Sequence, residues 1–329
     1  MSTPTLPHEA TSTALEDGHR HRIASSRNHG SVQEVAPGVS YFTTVFANLY
    51  LVRSHAGGCV LVDTGIPAAT ALTRAAIEHH LGDERLSAIV LTHGHFDHAG
   101  SAEELADAWG IPVYAHRLEL PYLTGMSDYA PADPSMGGAI AQLSRLFSTS
   151  GTDLGERVRA LPEDGSVPGL PEWRWLHTPG HTAGHVSLFR DGDRVLLAGD
   201  ALTTMDLDSW TATALERPEI DRPPAPLTPD WDAARHSVEL LAELEPAVVG
   251  AGHGIPMTGK EATEGVRRLA ADFPVPASGR YVGHPAQADE HGIVDVPPPA
   301  PDPFPARLAL GAAGAVVLLG LLRRARRDR

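Results

Sequence analysis

Between positions 39 and 63, apolar residues cluster in short runs rich in β-branched and aromatic side chains: Val39–Thr44, Ala47–Arg53 and Cys59–Asp63. This texture predicts three strands in an antiparallel meander, the last two joined by the turn Ser54-His55-Ala56-Gly57-Gly58. From Pro67 the period lengthens. Leu72, Ala76, Ile77 and Leu81 recur at helical spacing behind a proline, so a helix is expected over Pro67–Leu81. A strand is expected at Ala88–Leu91, a helix from Ser101 to Trp109 with Ser101 as its cap and Glu104 three residues on, and a strand at Pro112–Ala115. Strand texture returns at Trp173–His177, Val186–Arg190, Arg194–Ala198 and Ala247–Gly250. Helices are expected over Trp231–Leu244 and Lys260–Phe273, and no internal repeat is visible.

The stretch from His116 to Pro168 is irregular, with Pro121, Pro131, Pro134 and a Gly137-Gly138 pair around one expected helix at Ala139–Phe147. Insertions of this length inside a compact domain usually serve function, so 116–168 is expected to be a lid. Residues 1–30 are polar and read as a disordered arm whose histidines are solvated, 31–290 as one folded domain, and 291–306 as a proline-rich linker. The tail 307–329 holds fifteen uncharged residues, Leu308–Leu322, followed by a cluster of arginines. At about 1.5 Å per residue this reaches roughly 22 Å against a hydrocarbon core of roughly 30 Å, so a short transmembrane helix or a shallow membrane anchor is expected. No secretory signal is seen at the N-terminus, which places the expected protein in the cytoplasm, membrane-associated through that tail.

Composition narrows the chemistry. With 329 residues and 42% hydrophobic content the chain can bury one large core. Asp and Glu number 41 against 26 Lys and Arg, a formal net charge of −15. Polyanions are repelled by such a surface, so nucleic acid is excluded as a partner and a small-molecule substrate is expected. The lone cysteine, Cys59, rules out an intramolecular disulfide and a Cys-rich zinc site; it reads as packing within a strand. Any metal must therefore be held by histidine and carboxylate. Oligomeric state is not legible.

Those residue types concentrate in Thr92-His93-Gly94-His95-Phe96-Asp97-His98-Ala99-Gly100, directly after an expected strand. Four ligand-type side chains within six residues suit zinc and related divalent ions. Three more candidates follow strand-like segments with small neighbours: His181 in Pro179-Gly180-His181-Thr182, Asp200 in Ala198-Gly199-Asp200, and His253 in Gly252-His253-Gly254. His185 reads as a structural hydrogen-bonding residue.

This ordered set, His-x-His-x-Asp-His and then His, Asp and His, resembles the metallo-β-lactamase superfamily, in its glyoxalase II and lactonase-like branch, over about Val35 to Phe273. The resemblance implies a mixed α/β fold, a four-layer αβ/βα sandwich of two mixed sheets flanked by helices. It also implies two divalent metal ions, zinc in the first instance with iron or manganese as alternatives. His93, His95 and His181 would hold one ion, Asp97, His98 and His253 the other, and Asp200 would bridge them. Asp63 would orient a ligand imidazole from behind. Two such ions lower the pKa of a shared water so that hydroxide is available to attack a carbonyl, with Asp97 able to move a proton. The expected activity is metal-dependent hydrolysis of a thioester or lactone, with Tyr122 and Tyr129 as candidate substrate contacts. A mono-iron persulfide dioxygenase of the same fold and a non-enzymatic metal-stabilised scaffold are the alternatives.

Overall fold

The computed structural model describes residues 31–302. The arm 1–30 and the tail 307–329 lie outside the described residues.

Seven strands form the first sheet in sequence order: β1 (Gln33–Ala36), β2 (Val39–Thr44), β3 (Ala47–Arg53), β4 (Cys59–Val62), β5 (Leu86–Val90), β6 (Val113–Ala115) and β7 (Val158–Ala160). The meander β1 to β4 is antiparallel and β4 to β7 run parallel. The second sheet contains β8 (Ser166–Val167), β9 (Leu170–His177), β10 (Val186–Arg190), β11 (Val195–Leu197), β12 (Val248–Gly250) and β13 (Met257–Thr258), in the order β13-β12-β11-β10-β9-β8. Only β11 and β12 pair in parallel there. The helices are α1 (Thr70–Leu81), α2 (Phe96–Ala99), α3 (Ala102–Trp109), α4 (Leu120–Leu123), α5 (Gly138–Leu143), α6 (Trp210–Leu215), α7 (Trp231–Glu243) and α8 (Gly259–Ala271), and a hairpin of β14 (Gln287–Asp289) and β15 (Gly292–Asp295) follows.

The two-residue period of the strands explains the layering. On β3 and β4, Leu49, Leu51, Cys59 and Leu61 face one way and pack with Ile77 of α1 and Leu105 of α3. Their neighbours Tyr50, Val52, Val60 and Val62 face the other way, onto Val186, Leu188, Val195 and Leu197 of the second sheet. Leu196 and Val249 turn outward again beneath Val238 and Leu241 of α7 and Val266 of α8. Because both faces of each sheet are covered, these strands are apolar throughout, and the layers run helix, sheet, sheet, helix. This is the four-layer sandwich expected. Cys59 is fully buried in β4, and burial pushes its thiol up to about 11.

Several local expectations change. Ser101 does not cap α3 with its side chain. Its hydroxyl donates to Ile66 O at 2.8 Å and receives a hydrogen bond from Thr70 Oγ1 at 2.9 Å, fastening the His-rich loop to the start of α1. The stretch 116–168 is more regular than its prolines suggest, since β7 pairs with β6 and extends the first sheet. The helix at Ala139 stops at Leu143, where Ser144 Oγ donates to Ala141 O and a 3₁₀ turn follows. The expected transmembrane helix is corrected: among the described residues no helix is long and apolar enough to cross a membrane. Even α7 and α8 have 13 residues each, against about 20 for a span. The fifteen uncharged tail residues fall short of the same length and lie outside the described residues.

Two side chains of β3 tie the first sheet to the loop after β12. Asn48 Nδ2 donates to Ala251 O at 3.0 Å and Gly254 O at 2.6 Å, and Tyr50 Oη donates to Ala251 O at 2.7 Å. Asn48→Ala is therefore expected to cost about 1–3 kcal/mol in a urea unfolding experiment, because it leaves buried backbone acceptors short of donors.

Candidate metal centre

The loops that follow β5, β9, β11 and β12 meet at one edge between the sheets, and each brings ligand-type side chains from just beyond its strand. His181 Nε2 lies 2.9 Å from His95 Nδ1 and 3.2 Å from His93 Nε2. Donors bound tetrahedrally at 2.0–2.1 Å stand about 3.3 Å apart, so three nitrogens at this spacing suit one divalent ion. Beside them, His253 Nε2 lies 3.5 Å from Asp97 Oδ2, and His98 Nε2 lies 3.8 Å from the same oxygen. Asp200 Oδ2 sits between the groups, 3.4 Å from His181 Nε2, 3.6 Å from His98 Nε2 and 3.2 Å from His253 Nε2. Three sets can hold a metal ion: His93, His95 and His181; Asp97, His98 and His253; and His93, His98 and Asp200. His98 Nε2 and Asp200 Oδ1 are buried without a hydrogen-bond partner, an arrangement that a cation would relieve.

Charge differs between the two groups. Burial pushes the pKa of His93 and His181 well below the ordinary histidine value and that of His95 down to about 4, so these imidazoles are neutral and keep a lone pair. Burial also opposes charge on His98 and His253, but Asp200 and Asp97 outweigh it and raise both. Asp200 is itself held far below the usual carboxylate range: burial works against the anion, and His253 and His98 more than offset it.

Three of the imidazoles are aimed from behind. His98 Nδ1 donates to Asp63 Oδ2 at 2.9 Å, and Asp63 is fixed by Thr92 N and Thr92 Oγ1, both at 2.8 Å. Asp63 takes φ +60°, a conformation that aspartate tolerates better than most residues. His93 Nδ1 meets Thr92 Oγ1 at 3.1 Å, and His253 Nδ1 donates to Phe46 O at 3.0 Å. Asp200 N donates to His185 Nε2 at 2.9 Å, while His185 Nδ1 meets Thr178 Oγ1 at 2.9 Å, so His185 faces the bridging position as an acceptor. Gly252 has to be glycine, since a Cβ there would collide with Asp200 Oδ1 and His98 Cε1.

Sequence reasoning missed Glu119. This fully buried carboxylate accepts from Gly94 N (2.9 Å), Tyr129 Oη (2.5 Å), Thr182 Oγ1 (2.6 Å) and Gly184 N (2.9 Å). It thus joins the His93–His98 loop to the loop bearing His181. Burial pushes its pKa up, while the four donors pull against that. The only hint in the sequence was an acid set between Leu118 and Leu120. Tyr122 and Tyr129 are buried and stacked at 4.1 Å between ring centroids. The Tyr129 ring lies 4.5 Å from that of His95, and its hydroxyl is engaged by Glu119. Two cavities open beside the centre, one of about 370 Å³ reaching Asp97 and His253, the other of about 390 Å³ reaching His95 and His181.

The chain is similar to several known proteins. The profile of the metallo-beta-lactamase superfamily matches residues 42–253. A probable metallo-hydrolase of Bacillus subtilis (strain 168), YflN, is 45% identical over 250 residues, covering 75% of this chain and 95% of its own. A hydroxyacylglutathione hydrolase of Alkalilimnicola ehrlichii is 39% identical over 118 residues, 36% of this chain and 34% of its own. Among solved structures, a beta-lactamase domain protein from Burkholderia ambifaria shares the fold at a TM-score of 0.53 and 22% identity, covering 74% of this chain and 76% of that one. The chain belongs to the metallo-β-lactamase superfamily. By class it is a metallo-hydrolase with a divalent-metal site.

Glu119→Gln turns an acceptor-only group into one whose amide faces donors. It is expected to lower stability by about 2–4 kcal/mol by stranding buried donors, as read by chemical denaturation. A loss below about 0.5 kcal/mol, within the range of a neutral surface change, would contradict the fastening role.

Proposed function

We propose that this protein is a binuclear metal-dependent hydrolase of carbonyl substrates, with thioesters and lactones as the substrate classes. The observation that supports it most is the pair of three-donor groups that share Asp200 between them. His93, His95 and His181 would hold one ion, Asp97, His98 and His253 the other, and Asp200 both. Zinc suits these nitrogen and oxygen donors best, and iron or manganese would also be accepted. When bound, such ions supply hydroxide near neutral pH and an electrophile for the carbonyl oxygen.

The chain's own residues do the rest. Asp63, Thr92 and Phe46 O fix the tautomers of His98, His93 and His253 so that the other ring nitrogen faces the centre. Asp97 lines the 370 Å³ cavity and is the carboxylate placed to take a proton from attacking water and pass it to the leaving group. The stretch 116–168 contributes Ile140, Leu143, Leu146 and Phe147 to the same cavity, which suits its reading as a lid. The hydroxyacylglutathione hydrolase relative acts, by its name, on an acylglutathione, in keeping with an acyl substrate.

A panel of thioesters and lactones tests this reading. Turnover is expected, lost on chelation together with a fall in Tm, and regained with zinc. Asp97→Asn should lower kcat by about 100-fold or more with the circular dichroism spectrum unchanged. Asp63→Asn should weaken metal binding by about 10–100-fold in a competition assay with a chromophoric chelator. Bound iron with oxygen uptake on a persulfide, and no hydrolysis, would contradict the proposal.

A further inference from the structure

We infer that the hydrolase takes an uncharged substrate whose acyl part is an apolar chain or ring, seated in the 370 Å³ cavity beside Asp97 and His253. This rests on the hydrolase reading and specifies what it acts on. The cavity wall is built from Val45, Phe46, Ile140, Leu146, Phe147 and Trp210, among others. It is continuous with the centre: Phe46 stacks on the His253 ring at 5.9 Å, meets Phe96 edge-on at 6.4 Å, and Phe96 lies 5.5 Å from Phe147. Aromatic side chains thus lead from a candidate ligand out along the wall.

The mouth of the cavity gathers apolar surface that would otherwise stay buried. Trp210 is 60% exposed, Leu146 84% and Val45 51%. Five of the eleven exposed large apolar side chains among the described residues, counting Phe46 and Leu143, line this one cavity. Such clustering marks a binding surface, whereas scattered single residues would not. Charge points the same way. Neither cavity at the centre is lined by a lysine or an arginine, and Glu216 lines the apolar one. Along the apolar wall a substrate with carboxylates on its acyl part would find no lysine or arginine and would face Glu216 and the net charge of −15. The two carboxylates of a glutathione leaving group would find none in the second cavity either.

The reaction balances without redox change: the acyl carbon loses its bond to sulfur or oxygen and gains one to the oxygen of water. One water proton ends on the leaving thiol or alcohol, and the product acid gives up the other at neutral pH.

The test uses the full chain with its metals and a series of acyl thioesters of one neutral thiol, from acetyl to decanoyl, beside ω-carboxyacyl counterparts and acylglutathiones. Lactones with equivalent side chains complete the panel. The expected result is a kcat/KM that rises about three- to fourfold per methylene over several carbons and then levels, as apolar burial predicts. Carboxylate-bearing substrates should fall at least tenfold below neutral ones of equal length. Ile140→Trp, which fills the cavity, should move the optimum to shorter chains. If that variant fails to fold, Leu143→Lys at the exposed rim should lower kcat/KM for long neutral chains and raise it for ω-carboxyacyl ones. Turnover indifferent to acyl length, or preference for charged substrates, would overturn this inference while leaving the hydrolase standing. No hydrolysis of any member by the metal-loaded protein would overturn the hydrolase reading itself.

Discussion

Everything at the functional edge of this protein depends on one buried carboxylate. Asp200 is 2% exposed, holds its charge, and faces the imidazoles of His181, His98 and His253 at 3.2–3.6 Å. An anion taken out of water at this depth is costly unless positive charge is brought to it. Around it stand His98 and His253, whose hold on a proton it strengthens, and His181, which burial keeps neutral. Divalent cations held among these donors would offset the same charge, and three groups of donor atoms lie close enough together to hold one.

These donors are kept in place by backbone and by residues behind them. The loops meet because both sheets end their strands at the same edge. Asn48 and Tyr50 clamp the loop of His253 to the first sheet, Glu119 clamps the His93–His98 loop to that of His181, and His185 holds the backbone of Asp200. None of these three fastenings uses a charged pair at the surface, where screening would weaken it. The price is a cluster of buried polar groups whose benefit depends on every member being satisfied, as half-satisfied networks destabilise.

The strands were legible as short apolar, β-branched runs bounded by turn residues, as in Ala47–Arg53 and Cys59–Val62, whereas the layering came from the family resemblance. The candidate ligands were legible because histidines crowded into six residues have few other uses. What was hidden depends on contacts between distant segments. Glu119 looks like any acid until four donors from three separate segments surround it, and Ser101 looks like a helix cap until Ile66 and Thr70 arrive beside it. Short strands such as β7 and β8 have too few residues to show a period, and the hairpin β14–β15 lies in a polar stretch with no apolar alternation. The apolar cavity was hardest of all, since its wall comes from the β2–β3 turn, α5 and α6 together.

The most direct measurement is anomalous X-ray scattering from crystals of the metal-loaded full chain, collected at the absorption edge of the bound element. The account predicts two peaks, one within ligand distance of His93, His95 and His181, the other of Asp97, His98 and His253, with Asp200 reaching both. Crystals loaded at excess metal that show no peak among these seven side chains, or a single peak with Asp97 and His253 turned away from it, would contradict it.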